Sequence, residues 1–242
     1  MSSQQKKFNG FNPDVFKFFS ALERNNSLEW FNKNRNRYQE VLVKPARSYV
    51  EAIGEFFNHL NSSIRTEPKF NKTLMRINKD MRFAKGAPYR NYFLIHFGRF
   101  KMDSEFYVYF DKNGITYGMF LNKSNGEDLY FDKNIKGYSK EIISVFNNYK
   151  LNNKFDLKTF DKDISTIQKR LNINKHFEKF SRTKFILLEK NLPKERKLAT
   201  SPNFITESIK QFSSLYPLYC FAISPIPLKL LQDFEERMGV AY

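Results

Sequence analysis

The periodicity of apolar residues changes twice along this chain, and that change constrains the fold more than any other feature. From residue 13 to residue 60 apolar side chains recur at helical spacing. Asn12-Pro13-Asp14 is a helix start: Asn caps, Pro suits the first turn and Asp complements the dipole. Val15, Phe18, Phe19 and Leu22 then fall on one face, and Asn25-Asn26 ends the helix. Ser27 caps a second helix with Trp30, Phe31, Tyr38, Val41 and Leu42 as its apolar stripe. Pro45 opens a third that runs through Tyr49, Ile53, Phe57 and Leu60.

The period then drops to two. The segments 73–78, 92–98, 105–110 and 115–121 are short and rich in aromatic or branched residues. Phe93, Ile95 and Phe97 alternate with Tyr92, Leu94 and His96, as Phe106, Val108 and Phe110 do with Glu105, Tyr107 and Tyr109. Asp111-Lys112-Asn113-Gly114 predicts a hairpin turn, because Asn-Gly tolerates positive φ at both centres. A meander of about four antiparallel strands follows from this spacing. Helical patterns return around 138–147, 162–171, 174–181, 183–190, 203–215 and 228–238. The order predicts an α+β fold: an N-terminal three-helix layer, a central, mainly antiparallel sheet and C-terminal helices. Residues 1–7 are polar and read as a flexible tail. With no linker or repeat in view, residues 8–242 read as one domain.

Charge narrows the choice of partners. Forty-one Lys and Arg face 25 Asp and Glu, a net charge of +16 that attracts polyanions such as nucleic acid, phosphorylated metabolites or acidic headgroups. The abundance of Lys, Asn, Ile and Phe fits AT-rich coding equally well, so only local clustering of charge discriminates. The single cysteine, Cys220, sits in an apolar run and reads as a buried thiol in a reducing compartment. The N-terminus lacks an apolar signal segment, and no apolar run approaches membrane-spanning length. A cytoplasmic protein with no membrane insertion is the expectation.

Clustering does occur between residues 72 and 101. Lys72, Arg76, Lys79, Arg82, Lys85, Arg90, Arg99 and Lys101 face one acid there, Asp80. Gly86 and Pro88 bend the chain, so the cations from Arg82 to Arg90 surround a loop rather than line a helix. Guanidinium groups in such a loop fork onto phosphate or carboxylate oxygens. Arg76, Asp80, Arg82, Lys85, Tyr89 and Arg90 are therefore the candidate ligand-binding residues. Two alternatives stay open. Asp80 can simply pair with Arg76 or Arg82, and Phe83 and Tyr89 serve either as stacking faces or as core anchors.

This segment resembles the signature of the domain of unknown function 2461 family, which runs Arg-Asp-x-Arg-Phe-Ser-Lys-Asp-Lys-x-Pro-Tyr-Lys. Asp80, Arg82, Phe83, Lys85, Pro88 and Tyr89 match it, and Lys79 and Arg90 keep its charge. Ala84, Gly86 and Ala87 replace its Ser, Asp and Lys, which removes a hydroxyl and a carboxylate that catalysis would use. The opening Phe8-Asn9-Gly10-Phe11, then Asn25-Asn26, Glu29-Trp30-Phe31, Tyr38 and Pro45, is similar to the family's start. These motifs cover residues 8 to about 121. The resemblance implies a shared fold and no particular activity.

Signals for catalysis are sparse. His59, His96 and His176 show no zinc-ligand spacing, and no phosphate-binding glycine loop or nucleophile elbow is present. His96, on the strand beside the cationic loop, is the weak candidate for a general base, and Asp80, which would orient Arg82, is the other weak catalytic candidate. Cationic neighbours would depress Asp80 and make it a poor proton shuttle. Glu127 with Asp128, and Asp161 with Asp163, read as solvated turns rather than cation sites. No metal or cofactor is expected. The expectation is an anion-binding module at residues 76–90, with an enzyme on phosphorylated or carboxylated substrates, or an interaction protein, as alternatives.

Overall fold

A computed structural model describes residues 8–160, 163–193 and 197–239. The proposed tail, residues 1–7, and Asp161 lie outside the described residues. The N-terminal helices are α1 (Asp14–Arg24), α2 (Leu28–Lys33), α3 (Arg35–Tyr38) and α4 (Lys44–Leu60). Asn12 Oδ1 accepts the Asp14 N–H at 2.9 Å, and Ser27 Oγ accepts the Trp30 N–H at 3.2 Å, so both sequence-predicted starts are capped. α3 passes into α4 through one π-helical stretch, Gln39–Val43. Pro45 stands at the start of α4 and has no N–H to donate back, so the helix widens there instead of breaking.

Six strands follow: β1 (Phe93–Phe97), β2 (Glu105–Phe110), β3 (Gly114–Asn122), β4 (Asp156–Phe160), β5 (Ile164–Gln168) and β6 (Phe185–Pro193). They form one antiparallel sheet in the order β1-β2-β3-β6-β4-β5. The remaining helices are α5 (Phe131–Gly137), α6 (Ser139–Asn148), α7 (Ile173–Arg182), α8 (Phe204–Ile223) and α9 (Pro227–Met238). The α+β class, with N-terminal helices, an antiparallel sheet and C-terminal helices, is as read from the sequence, and α5, α6 and α7 interleave with the last three strands.

Two expected helices are strands. Residues 162–171 place Ile164, Ile167 and Leu171 at helical spacing, yet β5 leaves both isoleucines exposed and only Leu171 is buried. The expected helix at 183–190 is replaced from residue 185 by β6, whose Ile186, Leu187, Leu188 and Glu189 are all buried, so no period of two is visible. The expected strand at 73–78 has only isolated bridges at Leu74 and Asn78. In the hairpin turn, Asp111 Oδ1 accepts the N–H groups of Asn113 and Gly114, and only Gly114 takes positive φ. The side-chain turn relieves Asn113 of the expected conformation.

The described residues cluster in two compact units. The first comprises the described residues within 1–97, 108–116 and 191–209. Its core is aromatic. Phe11 meets Phe110 at 4.5 Å and Phe204 edge-on at 5.6 Å, while Phe57 stacks on Phe97 at 4.3 Å. The Phe11 N–H donates to Ala199 O at 2.7 Å. Gly10 makes that approach possible: its φ is +101°, and a Cβ there would lie 2.5 Å from the Thr200 carbonyl carbon. Arg37 grips the Asp14 carboxylate through two bonds of 2.6 and 2.8 Å, fixing α3 to the start of α1.

The second unit comprises the described residues within 98–107, 117–190 and 210–242. Phe106, Tyr117, Phe212 and Tyr219 form its aromatic centre. Arg99 holds the fully buried Asp103 through Nε at 2.9 Å and Nη2 at 3.0 Å. Glu189 is buried between the Tyr107 hydroxyl at 2.7 Å and Lys158 Nζ at 2.6 Å, so its charge is compensated on both oxygens. Cys220 is buried, and burial pushes its thiol far above the usual range, so it is a packing residue. Among the described residues no helix is long and apolar enough to cross a membrane.

Substituting Gly10→Ala should destabilise the protein by about 2 kcal/mol or more, through backbone strain and overlap with residue 200. Gly137→Ala, with no atom within 4 Å of the added carbon, should leave stability unchanged or raise it slightly. Urea unfolding midpoints measure both, and equal midpoints for the two variants would contradict the packing described.

Candidate functional site

The cationic segment folds as a closed loop on a short stem. The Lys79 N–H donates to Pro88 O at 2.9 Å and the Arg90 N–H to Ile77 O at 2.7 Å, with an antiparallel bridge between Asn78 and Tyr89. Inside the loop, Asp80 O accepts the N–H groups of Phe83 and Ala84. Asp80 Oδ1 accepts the Arg82 N–H at 3.1 Å, and its two oxygens accept Arg82 Nε at 3.0 Å and Nη2 at 2.7 Å. Gly86 supplies the left-handed corner at φ +84°.

A residue distant in sequence holds this loop. Asn26, just past the end of α1, donates Nδ2–H to Tyr89 O at 2.8 Å and accepts the Tyr89 N–H at 3.0 Å. One amide side chain thus satisfies both backbone groups of Tyr89 as a neighbouring strand would. Beneath it the Tyr89 ring stacks on Phe31 of α2 at 4.1 Å and is 3% exposed. Burial raises its hydroxyl pKa.

The loop, the end of α1 and the residues leading into β1 border an open hollow of about 540 Å³, lined by Glu23, Asn26, Lys79, Asp80, Phe83, Ala84, Ala87, Tyr89, Arg90, Asn91 and Tyr92. Its two acids are already committed: Glu23 pairs with Lys112 at 2.6 Å and Asp80 with Arg82 at 2.7 Å. Arg90 Nη1 donates to the carbonyl oxygens of Arg76 at 3.2 Å and Asn78 at 2.7 Å, which aims the guanidinium without neutralising it. Among the described residues no acid pairs with Arg76, Lys79, Lys85 or Arg90. Phe83 stands 87% exposed at the rim, and the Tyr92 ring stacks on Tyr109 at 4.9 Å.

Of the residues singled out from the sequence, Asp80, Tyr89 and Arg90 line the hollow. Arg76, Arg82 and Lys85 do not: Arg76 lies over the Phe70 ring at 5.5 Å, Arg82 is bound to Asp80, and Lys85 is exposed. His96 lies on β1, where its N–H donates to Thr73 O at 2.9 Å, and is no part of the lining. Of the groups expected to converge for catalysis, Asp80 lines this hollow, and His96 and Arg82 do not. Asp128 accepts the Tyr130 hydroxyl at 3.0 Å and, through its carbonyl, Arg99 at 2.7 Å, the behaviour of a turn residue. Sequence reasoning missed Glu23, Asn26, Asn91 and Tyr92 as wall residues, and it placed Lys79 in the cationic cluster without choosing it as a binding residue. The Asn-Asn pair after α1 was the available signal for Asn26, since one asparagine suffices to end a helix.

The Arg82 side chain, and then the Arg82 backbone N–H, hold the Asp80 carboxyl below the ordinary aspartate value of 3.8. A depressed folded value means the pair is complete above pH 3.8 and opens only as pH falls through the lower folded value. A carbon-13 titration of the Asp80 carboxyl should give a midpoint below 3.8, and a midpoint at or above it would contradict the bidentate pair.

A family model described as "Conserved hypothetical protein (DUF2461)" matches residues 14–221, well past residue 121, where the recognisable motifs end. No curated protein matches the chain. The match spans the capped helices, the loop and its clamp, the sheet and most of α8, and the chain belongs to the DUF2461 family.

Proposed function

We propose that the hollow beside the loop at residues 76–90 binds an anionic ligand bearing phosphate or carboxylate. The observation that carries this reading is the state of its charges. Both acids in the wall are paired with cations, while Lys79 and Arg90 face the space with no acid partner among the described residues. An anion would complete them with charge-assisted bonds. Arg90 is held by two carbonyls, so little ordering is required of it when a ligand enters. Phe83 and Tyr92 offer aromatic faces for a planar or sugar-like portion of the ligand. A volume near 540 Å³ suits a phosphorylated metabolite better than a polynucleotide, which would need a groove that tracks a backbone. The two carboxylates in the wall, Glu23 and Asp80, are each held by a cation, which favours binding over proton transfer.

Calorimetric titration with nucleoside monophosphates, phosphosugars and inorganic phosphate tests the reading. Binding by at least one of these is expected, and Lys79→Ala or Arg90→Gln should weaken it about tenfold or more. The salt dependence should correspond to one or two charges. A steep dependence with tighter binding to single-stranded nucleic acid would favour a polyanion instead. No binding by any probe, or equal binding by both variants, would overturn the proposal.

A further inference from the structure

The end of the strand order opposite β1 is unfinished. β1 has its outer backbone engaged by its own chain: the Met75 N–H donates to Leu94 O at 3.0 Å and the His96 N–H to Thr73 O at 2.9 Å. β5 occupies the other end and, among the described residues, pairs with β4 alone, through Lys158 opposite Thr166, Thr159 opposite Ser165 and Phe160 opposite Ile164. Among the described residues no backbone group meets its outer edge. Ile164 is 56% exposed and Ile167 39% exposed. The usual defences of an edge are missing within Ile164-Ser165-Thr166-Ile167-Gln168, which has no charge and no proline.

We propose that β5 pairs antiparallel with β5 of a second copy of this chain about a two-fold axis through Thr166. Opposed residues in an antiparallel pair share a face, so two-fold pairing of identical strands must be centred on a residue. Centring on Thr166 is the choice that matches all of β5: Ile164 opposite Gln168, Ser165 opposite Ile167 and Thr166 opposite its own counterpart. The same register sets Asp163 of each copy opposite Lys169 of the other. Centring on Ser165 would set Asp163 against Ile167, and centring on Ile167 would set Lys169 against Ser165, each leaving strand residues unmatched. Charge complementarity and full strand overlap thus select one register. Threonines directly opposed across strands form a favourable pair, and the two-fold closes the edge rather than propagating it.

The contact is small, and the net charge of +16 opposes it. Association is therefore weak and depends on concentration, with long-range repulsion screened beyond about 8 Å at physiological ionic strength. Sedimentation equilibrium of the full chain, up to about 1 mM in 0.15 M salt, tests the register directly. A monomer–dimer equilibrium is expected. Asp163→Lys and Lys169→Asp should each weaken it about tenfold, because each opposes like charges twice, and the double swap should restore it. Both positions, 163 and 169, are exposed, so circular dichroism should report unchanged folding. A monomer throughout, or a dimer indifferent to the single reversals, or one that the double swap fails to restore, would overturn the proposal. Growth into larger assemblies would do the same, since a two-fold contact stops at two copies.

Discussion

The candidate site depends on one asparagine. The loop between Lys79 and Pro88 carries cations of like sign and has few apolar contacts of its own, so left alone it would spread in solvent. Asn26 prevents this by taking both backbone groups of Tyr89, and the Tyr89 ring adds a buried stack on Phe31. The hydrogen bonds set register and the stack supplies apolar burial. Together they convert a mobile arch into a wall with a fixed distance to α1 and β1. The pairing of Asp80 with Arg82 then shapes the arch from within. Its energetic worth at an exposed site is small, and its effect is geometric: it turns Arg82 away from the hollow and leaves Lys79 and Arg90 facing it.

This arrangement gives the family's two motif regions a shared physical meaning. The Asn-Asn and Trp-Phe elements near the N-terminus and the Pro-Tyr of the loop look independent in sequence. In the fold Asn26 and Phe31 of the first region hold Tyr89 of the second. The Phe-x-Gly-Phe opening acts elsewhere: Gly10 lets Phe11 reach Ala199 and bury its ring among Phe110 and Phe204. Loss of the loop's Ser and Asp, replaced by Ala84 and Gly86, leaves these contacts untouched. The parts that build the hollow are therefore separable from any chemistry performed in it.

Local signals in the sequence were legible where a single physical cause decided the outcome. Ser27 and Asn12 cap because a side-chain oxygen there meets an unpaired N–H. The alternation from Phe93 to Phe97 is a strand because one face is buried. β6 was illegible because it is buried on both faces, and β5 because two exposed isoleucines happened to fall three residues apart. The cationic cluster was visible as composition, yet which cations converge was not. Arg82 and Asp80 sit two residues apart and their pairing was among the readings open from sequence. Arg90 against the carbonyls of Arg76 and Asn78 follows from stem pairing across 12 to 14 positions, which no local pattern encodes.

The clamp is the claim on which the site rests, and amide hydrogen exchange tests it residue by residue. In the native protein the Lys79, Tyr89 and Arg90 amides, each bonded across the loop stem or to Asn26, should be protected. In an Asn26→Ala variant these three should exchange faster together, while the Met75 and His96 amides beside β1 keep their protection. Unchanged protection at Tyr89, or a uniform loss across the whole chain, would contradict the account.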